Sequence, residues 1–181
     1  MKKSLFIAAM LVVSAGIFSF TPKKFTDTYT VDVAKSKLQW NGAAPDHYHP
    51  GTVNLKSGML MVDNGKITGG KFVIDLTTAK NTDGSGDRLD GAIASPGMFD
   101  VAGKGGDATF EITSAMYTSD NTADISGNLT VKGTTVPVKF PAKIRGVKDG
   151  KMFAESFFSL DLSSIGIKYG VDIAVHLFAA K

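Results

Sequence analysis

The chain has 181 residues, a length that fits one domain with a core able to stand without metal or disulfide staples. It contains no cysteine, which excludes a disulfide framework, a thiolate-bound zinc or iron–sulfur site, a thiol nucleophile and lipid attached to an N-terminal cysteine. The formal net charge is +3, from 20 basic and 17 acidic residues with no clustered basic footprint, so neither nucleic acid nor an anionic membrane is indicated as a partner.

The first element is a targeting signal. Lys2 and Lys3 precede an apolar run over 5–13, and small residues follow at Ser14, Ala15 and Gly16, the charged, apolar, small-residue order of a secretory signal. Cleavage is expected after Ala15, with Ser19 as the weaker alternative, giving a signal peptide within 1–21 and a single domain over 22–181. The competing reading is an uncleaved anchor, but residues 5–20 rise only ~24 Å at ~1.5 Å each, short of a ~30 Å hydrocarbon core. No membrane span is expected in the mature protein. Without Lys2 and Lys3, 18 basic residues face 17 acidic ones, and the balance falls to +1.

Beyond a polar leader at 22–27, short apolar runs alternate with turn signals. Strands are predicted over 29–33, 37–42, 51–55, 58–62, 70–77, 108–117, 122–132, 135–144, 151–162 and 171–180. Asp63-Asn64-Gly65, Ser119-Asp120-Asn121 and Lys148-Asp149-Gly150 supply residues that tolerate the left-handed backbone of hairpin turns. The clearest hairpin spans 127–142: Leu129 and Val131 share one strand face, Val136, Val138 and Phe140 share the next, and Lys132-Gly133-Thr134 turns between them. One segment interrupts the pattern. Residues 81–106 are rich in Gly and Asp, and 88–94 allow one or two helical turns before Ser95-Pro96 stops them. A connection this long is functional or mobile, and it is the natural cover for one barrel mouth. With 20 glycines and no long helical period, the fold class is all-β.

Several strands are apolar on both faces. Phe72, Ile74 and Leu76 alternate with Val73 and Asp75; Phe153 and Phe157 lie opposite Phe158 and Leu160; Val171, Ile173, Val175 and Leu177 lie opposite Asp172, Ala174, His176 and Phe178. A sheet solvated on one side would alternate more cleanly. The pattern fits a barrel around an apolar cavity, packed outside by a helix or a neighbour, and it equally fits a filled barrel or sandwich.

Catalytic and metal motifs are weak. His47 and His49, at i and i+2, could join His176 in a three-imidazole zinc site, but Pro45 and Pro50 bracket the pair and argue for a loop. Asn81-x-Asp83-x-Ser85-Gly86 opens like a calcium loop, yet Ala92 stands where the bidentate Glu belongs. No G-x-S-x-G, H-E-x-x-H or S-x-x-K is present in the sequence, so the expectation is a protein that is not an enzyme and holds no metal or cofactor.

The hairpin at 127–142 resembles the "G-D/N-L-T-I-K-G-V-T-K-P-V" signature of the YceI-like family. Other pieces follow in order. Tyr29-Thr30-Val31-Asp32 resembles the family's opening strand, and Trp40-Asn41-Gly42 with His49-Pro50-Gly51-Thr52-Val53 its "W-x-G … H-x-G-x-V". The stretch from Gly69 to Leu76 resembles "G-G-x-F-x-I-D-M", and Ala108-Thr109-Phe110 and Gly166-Ile167 with Tyr169-Gly170 match later segments. The chain departs from the pattern at Ala92, Ala94, Met98, Asp107, Leu162 and Ile165, the polar and aromatic fittings around one end. The resemblance implies an exported, periplasmic or secreted protein with a lipocalin-like antiparallel β-barrel of about eight strands and a short helical segment in its long loop. It implies a polyisoprenoid or fatty-acyl lipid as ligand. On that reading the cavity is lined by Phe72, Ile74, Leu76, Phe110, Ile112, Leu129, Val131, Phe140, Phe158 and Leu160. The alternatives are an adaptor barrel that binds a protein through its long loop, and a metal enzyme built on the histidines.

Overall fold

The computed structural model describes residues 26–181 except Pro45 and Tyr169, and the side chains of all of these but Ala44 and His47. The expected signal peptide and its cleavage site lie outside the described residues.

Nine strands follow one another with two short helical pieces. They are β1 (Asp27–Val31), β2 (Lys37–Ala44), β3 (His47–Asp63), β4 (Lys66–Asn81), the helix α1 (Gly86–Ala94), β5 (Asp107–Ser119), β6 (Thr122–Val131), β7 (Thr134–Lys148), β8 (Lys151–Leu160), a 3₁₀ turn at Ser163–Ile165 and β9 (Gly170–Ala180). All pairings are antiparallel, and the added contacts of β3 with β4 and of β1 with β9 close the sheet on itself. Nine strands make eight barrel positions, because β1 and β2 share one. Both lie between β3 and β9: β1 pairs with Met59–Val62, and β2 with residues 47–53 further along the same strand. Between them the chain steps out in a turn that the buried Ser36 repairs. Its hydroxyl accepts the Phe178 N–H at 3.0 Å and reaches back to the Phe178 carbonyl at 3.4 Å, filling the break in the ladder.

Turn chemistry sets the hairpins. Asn64-Gly65, Lys132-Gly133 and Asp149-Gly150 all have positive φ at both residues, the mirror-image turn whose twist matches that of paired strands. Two predicted strands, 51–55 and 58–62, form one. Bulges after Thr52 and Leu55 bend β3 without ending it. The loop expected around His47 and His49 is also strand. Pro50 is tolerated there because its backbone faces β4, where its carbonyl accepts the Thr82 N–H at 2.8 Å just past Gly51↔Asn81, the last β3–β4 pair; the missing donor leaves the β2–β3 ladder intact.

The two ends of the barrel differ. At the hairpin end, Tyr29, Leu60, Val62, Ala123, Ile144, Met152 and Ala179 form a packed core. Tyr117 closes it from the side, its hydroxyl accepting the Ile67 N–H at 2.7 Å while Lys66 lies over its ring. The opposite, helix end carries α1 and a hollow.

Candidate functional site

Period-two alternation points one row of each strand inward, and at the helix end these rows do not meet. They leave a cavity of about 460 Å³ with a predominantly apolar wall, within the ~300–1,000 Å³ usual for small-molecule sites. All ten residues expected from the sequence border it: Phe72, Ile74 and Leu76 on β4, Phe110 and Ile112 on β5, Leu129 and Val131 on β6, Phe140 on β7, and Phe158 and Leu160 on β8.

Four phenylalanines form a belt along that wall. Ring centroids are 6.4 Å apart from Phe72 to Phe110, 5.5 Å from Phe110 to Phe140 and 4.2 Å from Phe140 to Phe158, the last pair stacked at 10°. Phe110 reaches Phe140 across β6 because position 127 is glycine: a Cβ there would come within 2.5 Å of the Phe110 ring. Trp40 uses the same device on the other side. Its indole lies over Gly51, where a Cβ would sit 2.0 Å from the ring, and its Nε1–H donates to the Thr52 carbonyl at 3.1 Å.

Sequence reasoning missed the rest of the wall. Leu38, Trp40, Val53 and Leu55 come from β2 and β3, and Val171, Ile173, Val175 and Leu177 from β9, whose apolar row was legible by alternation. The cover comes from the long connection. Leu89, Ala92 and Ile93 have helical i, i+3, i+4 spacing, and together with Met98 and Phe99 they face the cavity, with Ile93 buried. The cover is fastened by polar contacts. Asn81 donates its backbone N–H and its Nδ2 to Asp90 Oδ1, both at 2.8 Å, which holds that carboxyl below its usual range, and Lys132 Nζ donates to the Pro96 carbonyl at 3.1 Å.

Few polar groups border the hollow. His49 lies at the mouth with Nδ1 2.6 Å from Asp83 Oδ2, and this contact with the His49 ring lowers the Asp83 carboxyl to about 2. Ser156 donates its hydroxyl to the Pro141 carbonyl, and Glu155 is tied to Arg145. The constellations weighed from sequence do not assemble. His176 stands on the outer face against Phe153, whereas His49 lines the cavity. Ser85 and Asp83 both approach the same nitrogen of His49, so Asp83 does not orient the imidazole from the far side as a hydrolytic triad requires. Of the calcium-like residues, Asn81 donates to the Gly86 carbonyl and Asp83 accepts the Ser85 N–H.

The fold is matched by comparison with known proteins. A family model described as a YceI-like domain matches residues 29–179. The chain belongs to the YceI-like family. A UPF0312 protein of Pseudomonas putida is 36% identical over 123 residues, covering 65% of this chain and 63% of the relative, just under two thirds of the relative's length. Among solved structures, BcnA of Burkholderia cenocepacia superposes with a TM-score of 0.66 at 20% identity, covering 82% of this chain and 98% of that one. A polyisoprenoid binding domain from Saccharophagus degradans, described as implicated in plant cell wall breakdown, gives 0.66 at 15% identity, covering 84% and 97%. At these identities the likeness is one of fold. Among the described residues, no helix of this YceI-like chain is long and apolar enough to cross a membrane.

Proposed function

We propose that this YceI-like protein is exported and sequesters a long-chain apolar molecule, a polyisoprenoid or fatty-acyl lipid, inside its barrel. The observation that carries the reading is the cavity of about 460 Å³ walled by apolar strand rows and an apolar helical cover. Moving ligand surface out of water yields roughly 0.8 kcal/mol per buried CH₂, so a chain of many carbons binds without a polar anchor. The polyisoprenoid binding domain of Saccharophagus degradans, which shares the fold, supports the ligand class.

Trp40 is the only tryptophan in the sequence and borders the cavity, so its emission reads occupancy directly. Titration with prenyl and acyl chains of increasing length should give affinity that rises with length and then levels off when the cavity is full. A chelator should leave the affinity unchanged. If neither chain class binds at any length, the carrier reading falls and the adaptor reading takes its place; if chelation abolishes binding, a metal site does. Export rests on Lys2, Lys3 and the apolar run after them. N-terminal sequencing should recover the protein from the cell envelope without its first 15 to 21 residues, and an intact Met1 on cytosolic protein would contradict it.

A further inference from the structure

A ligand in a closed barrel needs a way in. We propose that it passes sideways between β7 and β8, an inference that rests on the carrier reading. The β7–β8 ladder runs from Lys148↔Lys151 only to Lys143↔Glu155. Both strands continue well beyond that point. β7 stays paired with β6 from Thr134 to Ala142, and β8 with β9 from Ser156 to Leu160, yet these two segments share no ladder with each other.

The cause is written in β7. Ile144 donates its N–H to Asn121, on the β6 side, at 2.8 Å, while the Pro141 carbonyl accepts the Ser156 hydroxyl from β8 at 2.6 Å. Backbone groups of successive residues alternate in direction along a strand, so positions 137 and 141 both face β8. Both are proline and have no N–H to offer. The seam therefore carries a side-chain hydrogen bond and the stacked rings of Phe140 and Phe158 where its neighbours carry a ladder.

The seam leads straight to the cavity, whose wall includes Val138 and Phe140 on one side of it and Phe158 and Leu160 on the other. At its outer edge Phe157 is 68% exposed, an apolar step beside the opening. The other candidate entrance, under α1, is tied down by several polar contacts. Lifting the cover would break the Asn81–Asp90, His49–Asp83 and Lys132–Pro96 contacts together with the backbone bond from Thr82 to Pro50. Opening the seam disturbs the Phe140–Phe158 stack and the Ser156–Pro141 bond but breaks no β7–β8 ladder pair beyond Lys143↔Glu155.

Because the chain has no cysteine, a Lys139→Cys/Ser159→Cys variant carries a single possible disulfide. The two positions are exposed and stand opposite one another if the register of Lys143↔Glu155 is extended by four residues. The probe is cis-parinaric acid, and the readout is its release into excess phosphatidylcholine vesicles, with and without reductant. The oxidised protein should release it about ten-fold more slowly or worse, while the equilibrium affinity stays the same, because a door alters entry and exit rates together. Independently, Pro137→Thr/Pro141→Thr supplies the missing donors, closes the ladder and should slow exchange in the same way without any cross-link. Binding with release rates unchanged in both variants overturns the lateral route and assigns passage to the α1 end. Failure of the reduced or unaltered protein to bind the probe at all overturns the carrier reading itself.

Discussion

Asp83 is held by a histidine at the cavity mouth, and that contact makes a pH signature. The carboxyl is lowered from 3.8 to about 2, first by the His49 ring and then by Ser85. A depressed carboxylate contributes stability that is complete above its unfolded value and is lost as pH falls through the folded one, so the window here runs from about 4 down to about 2. Asp83→Asn should flatten the pH dependence of unfolding in that window and lower stability by a constant amount above it. Urea midpoints measured across the window check this, and parallel curves for the two proteins would show that Asp83 is not coupled to folding. Ser36 illustrates a different demand on a single residue. A buried hydroxyl that both donates and accepts is what lets β1 step over to β2 without orphaning the Phe178 backbone.

At the scale of the elements, the packed hairpin end and the hollow helix end predict opposite responses to truncation. Met152, 3% exposed, sits in the packed end and away from the cavity wall, and Met152→Ala should cost ~2–5 kcal/mol whether or not lipid is present. Phe140 already borders empty space, so Phe140→Ala should cost less than the ~3–5 kcal/mol of a packed phenylalanine, and its cost should depend on lipid. Chemical denaturation before and after organic extraction separates them; lipid-independent stability in the Phe140 variant would remove that residue from the ligand wall. The hairpins were legible because Asn64-Gly65, Lys132-Gly133 and Asp149-Gly150 state their turns in the sequence; alternation gave the rows to which the ten wall residues belong, but not which row of each strand faces inward. Pro50 was misread as a loop marker, since whether a proline breaks a ladder depends on which neighbour its nitrogen faces. The prolines at 137 and 141 carried their message in the same hidden form. Leu89, Ile93, Met98 and Phe99 could be seen as apolar, but only docking of the connection onto the barrel gives them a cavity to cover.

For the whole molecule, the strand order has a kinetic consequence. β1 and β2 come first in the described chain, yet each needs β9 as a neighbour: Thr30 pairs with Ala180, and Trp40 with Ile173. The meander from β3 to β9 can zip up strand by strand through hairpins, but the ring stays open until its earliest strands meet its last. Pairings of such wide sequence separation carry a large loop-closure cost and belong to folds that form in milliseconds to seconds rather than microseconds. A chain emerging from synthesis therefore waits with β1 and β2 unpaired on their β9 side until β9 appears. Trp40 lies on the β2–β9 closure, so its emission should report when the curled ribbon becomes a container.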